Sequence, residues 1–216
     1  MAADASKASP EIIRLLEHPA LWRGSNAARV DAISTGFGVL DAWLPGNGWP
    51  RAGLVEILIS RLGVGELYLL LPVLAALTRR ASARWCAWIA PPFEPFAPAL
   101  AAHGLALERL FVARADAPLW AFEQALRSGG CDAVLGWVRR TRARDIRRLQ
   151  LAAERGRTLG ILFRPRRVAH ESSCALLRVM LEPAAQGARL TLLKSRGGRR
   201  GAIDLKWDSA PAHGSR

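Results

Sequence analysis

The sequence predicts an α/β domain: a mostly parallel sheet flanked by helices, with antiparallel strands along its C-terminal edge. Short apolar runs alternate with helical stripes between residues 54 and 163, the pattern of strands joined by crossover helices. From Leu177 the pattern turns hairpin-like, with runs at 178–182 and 189–194 separated by Pro183 to Gly187. The strand at 54–59 also leads through a Gly-containing loop into an apolar helix, the layout of a phosphate-cradling loop.

Taken in order, Ser9-Pro10-Glu11 is a helix start, with a capping hydroxyl and Pro at the first position. Ile12, Ile13, Leu15 and Leu16 give that helix an apolar face, and His18-Pro19 stops it. It either packs on its own domain or docks on another protein. We divide the chain into this helix and linker (1–30), a core (31–207) and a loose polar tail (208–216). Turns at Gly46-Asn47-Gly48 and at 50–53 precede the first central strand. A helix is expected over 66–78, with Leu67, Leu70, Leu71, Leu74 and Leu77 on one face and Pro72 imposing a kink or a late start. Strands follow at 84–89, 110–112, 133–135 and 159–163. Between them lie helices at 97–102, after Asp116-Ala117-Pro118, and at 142–155.

The 216 residues carry 31 Lys and Arg against 18 Asp and Glu, a formal charge of +13. Such a balance suits an acidic or polyanionic partner, and equally a solvated arginine-rich surface. The longest clean apolar run, Leu67 to Leu77, has 11 residues and falls short of the roughly 20 that span a bilayer. With no apolar signal stretch at the start, a soluble cytoplasmic chain is expected. Cys86, Cys131 and Cys174 form no CxxC pair, and His18, His103, His170 and His213 lack ligand spacing. Reduced core thiols, no metal and no cofactor are therefore expected.

The loop after the first strand reads Ser60-Arg61-Leu62-Gly63-Val64-Gly65-Glu66-Leu67. A working phosphate loop needs Lys after the last Gly to neutralise phosphates, then Ser or Thr to hold Mg²⁺. Glu66 repels a triphosphate and Leu67 cannot ligate a metal. The strand ending at Trp137 lacks the Asp that positions Mg²⁺, and Ala90-Pro91-Pro92 stands where a catalytic Glu would be. Glu94 is the one remaining candidate base. Loss of all four groups excludes ATPase chemistry. No G-x-S-x-G elbow is present, so hydrolytic serine chemistry has no signature either.

Arginines cluster three times, and each cluster is either a binding patch or a solvated face. Arg139, Arg140, Arg142, Arg144, Arg147 and Arg148 surround the start of the 142–155 helix, with Arg144, Arg147 and Arg148 on one stripe. Arg164, Arg166 and Arg167 follow the fifth strand, at the sheet end where ligands sit in α/β folds. Lys194, Arg196, Arg199 and Arg200 are interleaved with glycine. Trp43, Trp49, Trp120 and Trp207 fall near loops or element ends and are candidates for interface anchors, base stacking or core burial.

Over residues 31–200 the chain resembles the RecA-type core, through STGFGVLDAWLPGNGWPRAGLVEI, ARWCAWIAPPFEPFAPALAAHGLALERLFV, ALRSGGCDAVLGWV, ALLRVMLE and LLKSRG. By that resemblance the phosphate-binding Lys falls on Glu66 and its hydroxyl partner on Leu67. The catalytic Glu falls on Pro92, the Mg²⁺-associated Asp on Trp137, and the nucleotide-sensing Gln on Pro165. The DNA-binding loop is shortened to RPRRVAHESS. Within the superfamily, HPALWRGS, GVGELYLLLPVLAALT and WIAPPFEPFAPALAAHGL are similar to the ImuA family of RecA-like translesion-synthesis proteins. That implies a non-enzymatic, DNA-damage-induced adaptor acting with the Y-family-like ImuB, the error-prone polymerase DnaE2, the RecA recombinase and DNA. SulA-type cell-division inhibitors are shorter relatives with the same stripped fold. They imply the alternative, binding to the tubulin-like division protein.

Overall fold

A computed structural model describes residues 31–138, 140–195 and 200–207. The N-terminal helix expected at residues 9–18 and the tail at 208–216 lie outside them. A two-residue ribbon pairs β1 (Ala32–Ile33) with β2 (Trp49–Pro50), enclosing the short helix α1 (Gly38–Asp41). The remaining strands are β3 (Gly53–Ile59), β4 (Trp85–Ile89), β5 (Leu110–Ala113), β6 (Cys131–Trp137), β7 (Leu159–Pro165), β8 (Leu177–Ala184), β9 (Gly187–Ser195) and β10 (Gly201–Lys206). They form one eight-stranded sheet in the order β10-β9-β8-β3-β7-β6-β4-β5. From β8 to β5 every pairing is parallel, and β9 and β10 add the antiparallel edge.

Strand β3 is buried along its whole length, as expected of a strand covered on both faces. Val55, Ile57 and Ile59 join the larger core, with the helix α2 (Leu71–Thr78). Leu54 faces the other layer, where α4 (Pro118–Arg127) and α5 (Ala143–Gly156) pack through Phe122, Leu126, Ile146 and Leu149. The short α3 (Ala97–Ala102) buries Leu100. Helix α5 starts where the Asp145 carboxylate accepts the Arg142 amide at 2.8 Å, satisfying an orphan donor of the first turn.

Two expectations need correction. Residues 66–70 are turns, and α2 begins only at Leu71, because Pro72 has no N–H for the preceding turn and fits only the first positions of a helix. Cys174 is exposed, while Cys86 and Cys131 are buried. Burial pushes the Cys86 thiol up to about 12 and raises that of Cys131 as well. Beyond the basic, glycine-interleaved stretch, β10 pairs with β9 from Gly201↔Leu192 to Lys206↔Gly187.

Candidate functional site

The carboxyl ends of β3, β4, β6 and β7 meet at one face, where open α/β sheets bind their ligands. Here side chains fill that end. Glu66 is buried, and its carboxylate accepts the amides of Gly63 and Val64, each at 2.9 Å. In a phosphate loop such amides serve the anion; in this chain the protein's own carboxylate occupies them. Gly65 has φ +94°, and a Cβ there would lie 2.7 Å from the Trp207 ring. Trp207 in turn packs on Tyr68 and Phe37, with ring centroids 4.8 and 5.7 Å apart. The indole therefore lies over the glycine whose bare backbone a phosphate would approach.

Where β6 ends, Trp137 stacks on Phe163 at 4.7 Å and tilts against Trp88 at 5.7 Å. Pro92 and Pro165 line the same cavity, which has a volume of about 510 Å³. The four positions to which the RecA resemblance assigns Mg²⁺, base, sensor and phosphate chemistry thus hold an aromatic ring, two prolines and a carboxylate engaged by its own loop. Glu94 sits on the surface, paired with Arg114.

The arginines separate by environment. Arg164 is interior: it donates to the buried Glu56 at 2.6 Å and to Glu171 at 3.1 Å, which corrects its assignment to a binding patch. Arg178 lies on the same carboxylate, 2.7 Å from Glu56 Oε2, close enough for an ion pair though not aligned as a hydrogen bond. It also donates to the carbonyls of Val168, Ala169 and Glu171. These two guanidiniums fasten the 166–171 turn to the central strand. Arg166 pairs with Glu182 at 2.7 Å, Arg148 with Glu123, and Lys194 donates to the Ser173 carbonyl. Arg144 lies 4.0 Å from Asp145. Arg147, Arg167 and Arg200 are exposed; Arg139, Arg196 and Arg199 lie outside the described residues.

Of the tryptophans, Trp49 is fully buried and Trp120 is 62% exposed. Trp120 lines a cavity of about 880 Å³ beside Trp137, Val138, Arg140 and Arg167. The sequence pointed to the aromatic and the arginines separately, but nothing local in it joins residues 120, 137 and 167. A cavity of about 420 Å³ at the opposite end of the sheet is built around Asp132. Arg84 clamps that carboxylate and also donates to the carbonyls of Gly129, Gly156 and Arg157. Among the described residues no cluster could hold a metal ion, and no helix is long and apolar enough to cross a membrane.

The family model described as cell division inhibitor SulA matches residues 55–160, from β3 to the start of β7. A cell division inhibitor SulA of Edwardsiella piscicida is 38% identical over 123 residues, covering 54% of this chain and 70% of the relative. The SulA of Yersinia enterocolitica is 31% identical over 134 residues, covering 59% and 79%. That of Photorhabdus laumondii is 35% identical over 96 residues, covering 43% and 54%. The crystal structure of SulA from Pseudomonas aeruginosa matches at 30% identity with a TM-score of 0.44, over 51% of this chain and 97% of that one. The family model and the curated relatives overturn the expected translesion-synthesis adaptor and its partners ImuB, DnaE2, recombinase and DNA. The relatives carry the name of a division inhibitor, the reading that the sequence held as its alternative.

Proposed function

We propose that this chain, which belongs to the SulA family, is a cell-division inhibitor that acts by stoichiometric binding to the tubulin-like division protein. The observation that carries the reading is the 38% identity over 70% of a cell division inhibitor. The site is compatible with it. Glu66 takes the amides that a nucleotide would need, and Trp137 stands in place of a metal-positioning acid. Binding energy, not bond chemistry, is what such a surface offers.

We read the scaffold as a RecA-like core over residues 31–207 whose phosphate loop has lost its chemistry, in a protein working in the cytoplasm. Of the basic positions among the described residues, Arg144, Arg147, Arg148, Arg166, Arg167, Lys194 and Arg200 remain candidates for contacting the partner. Overproduction of the chain in its host should give filamentous cells, and the purified chain should bind the purified division protein and slow its assembly without consuming nucleotide itself. Normal division at high expression, together with unaltered assembly at equimolar protein, would refute the reading.

A further inference from the structure

We propose that the groove along the carboxyl ends of the parallel strands docks an extended acidic segment of a partner protein, one that carries a large apolar side chain between its carboxylates. The inference rests on the function proposed above for a protein as the kind of occupant; the chemistry of the groove is independent of it.

Three cavities join into one groove. Those of about 880 and 510 Å³ share Ala90, Trp137 and Val138. A third, of about 380 Å³, shares Arg140 and Arg167 with the first and Pro165 with the second. The two larger basins are of a size that accepts side chains and short ligands, and neither is lined by a carboxylate. Their floor is apolar, made by Trp137, Val138 and Pro92, with Trp120 standing 62% exposed at one wall.

The charge on the rim of the two larger basins is one-sided, while the third cavity also carries Asp145, which accepts the Arg142 amide, and Glu171, paired with Arg164. Arg61, Arg140 and Arg167 are exposed and have no carboxylate partner among the described residues, unlike the neutralised Arg148 and Arg166. Unpaired guanidiniums around an apolar floor complement a chain of carboxylates flanking a hydrophobic anchor. Trp and Arg are also the residues that most often dominate binding energy at such places. A phosphate-centred ligand is the weaker fit, because Glu66 already engages the loop amides and Trp207 lies over Gly65.

The test uses the full chain and a fluorescein-labelled peptide in which Asp and Glu flank a single Phe. Anisotropy should report saturable binding that weakens with salt. Replacing the acids by Lys, or the Phe by Ala, should each weaken it. Arg140→Glu combined with Arg167→Glu should lose roughly tenfold or more in affinity, and Trp120→Ala a similar factor. Arg80→Glu, at the far end of the sheet, should bind as the unaltered chain does. Equal binding of the Lys peptide, indifference to the groove variants, or displacement by a single-stranded oligonucleotide at lower concentration than by unlabelled peptide would overturn the proposal.

A parallel measurement with the purified division protein separates the two readings. Groove-dependent peptide binding by a chain that ignores the division protein upholds the groove and removes the proposed function. Division-protein binding that survives both arginine reversals does the opposite.

Discussion

Replacing Glu66 tests whether the loop after β3 is held by its own carboxylate. Glu66→Ala deletes the acceptor for two amides, those of Gly63 and Val64. Hydrogen bonds to a charged group contribute about 1.5–3 kcal/mol each. The Gly63 amide is on an exposed residue and recovers a water; that of Val64 is on a buried one and does not. The expected net loss is therefore about 2–4 kcal/mol, nearer one bond and an orphaned donor than two full bonds. Glu66→Gln keeps one acceptor oxygen but aims an NH₂ at the other donor, so about half that loss is expected. Urea unfolding, with the slope checked for equality across variants, measures both. A loss below about 0.5 kcal/mol for Glu66→Ala would refute the claim that the carboxylate organises the loop. Glu66→Lys should gain no Mg·ATP affinity, because Trp207 still covers Gly65.

Glu56→Gln leaves two buried guanidiniums without their shared anion and should cost about 3–5 kcal/mol by urea unfolding. Glu171→Gln, at a carboxylate 57% exposed, should cost under about 1 kcal/mol. Gly136→Ala puts a methyl 2.7 Å from the fully buried Phe122 ring and should lower stability by about 1–3 kcal/mol; an unchanged melting temperature would mean that α4 rests loosely on β6. Cys174 should react quickly with a disulfide reagent at pH 8, with Cys86 and Cys131 following only on unfolding. Because the folded Cys86 pKa, about 12, lies above its unfolded value of 9.0, the unfolded state binds fewer protons between those values. Stability should then fall as pH rises through that window, and Cys86→Ser should flatten the fall.

The parallel core was legible in the sequence because β3, β4, β6 and β7 are short runs with few polar residues, and each is closed by a turn. The onset of α2 was half legible: Pro72 announced a late start without fixing where. Strand β10 escaped because its apolar/polar alternation is confined to Ile203–Lys206, burying only Ile203 and Leu205, too short a run to stand out beside an arginine- and glycine-rich stretch. Arg164 was misread for another reason. Its partner Glu56 lies 108 residues away, and no local pattern separates a buried guanidinium from one facing solvent. Glu66 was legible as a carboxylate directly after the last glycine of its loop. That Glu66 folds back onto its own loop, and that Trp207 closes over it, are facts of tertiary contact.

Trp207 has a consequence for the order in which the molecule is made. The loop at residues 60–67 leaves the ribosome early, but the indole that seals it arrives some 140 residues later. Strands β8 and β9 emerge only near the end of that interval, and β9 lacks its outer partner until β10 follows. The nascent chain therefore exposes Gly65, Tyr68 and Phe37 together as an unsealed apolar mouth. At synthesis rates of about 5–20 residues per second, that state lasts on the order of ten seconds, long enough for a chaperone to bind before the last strand shuts it.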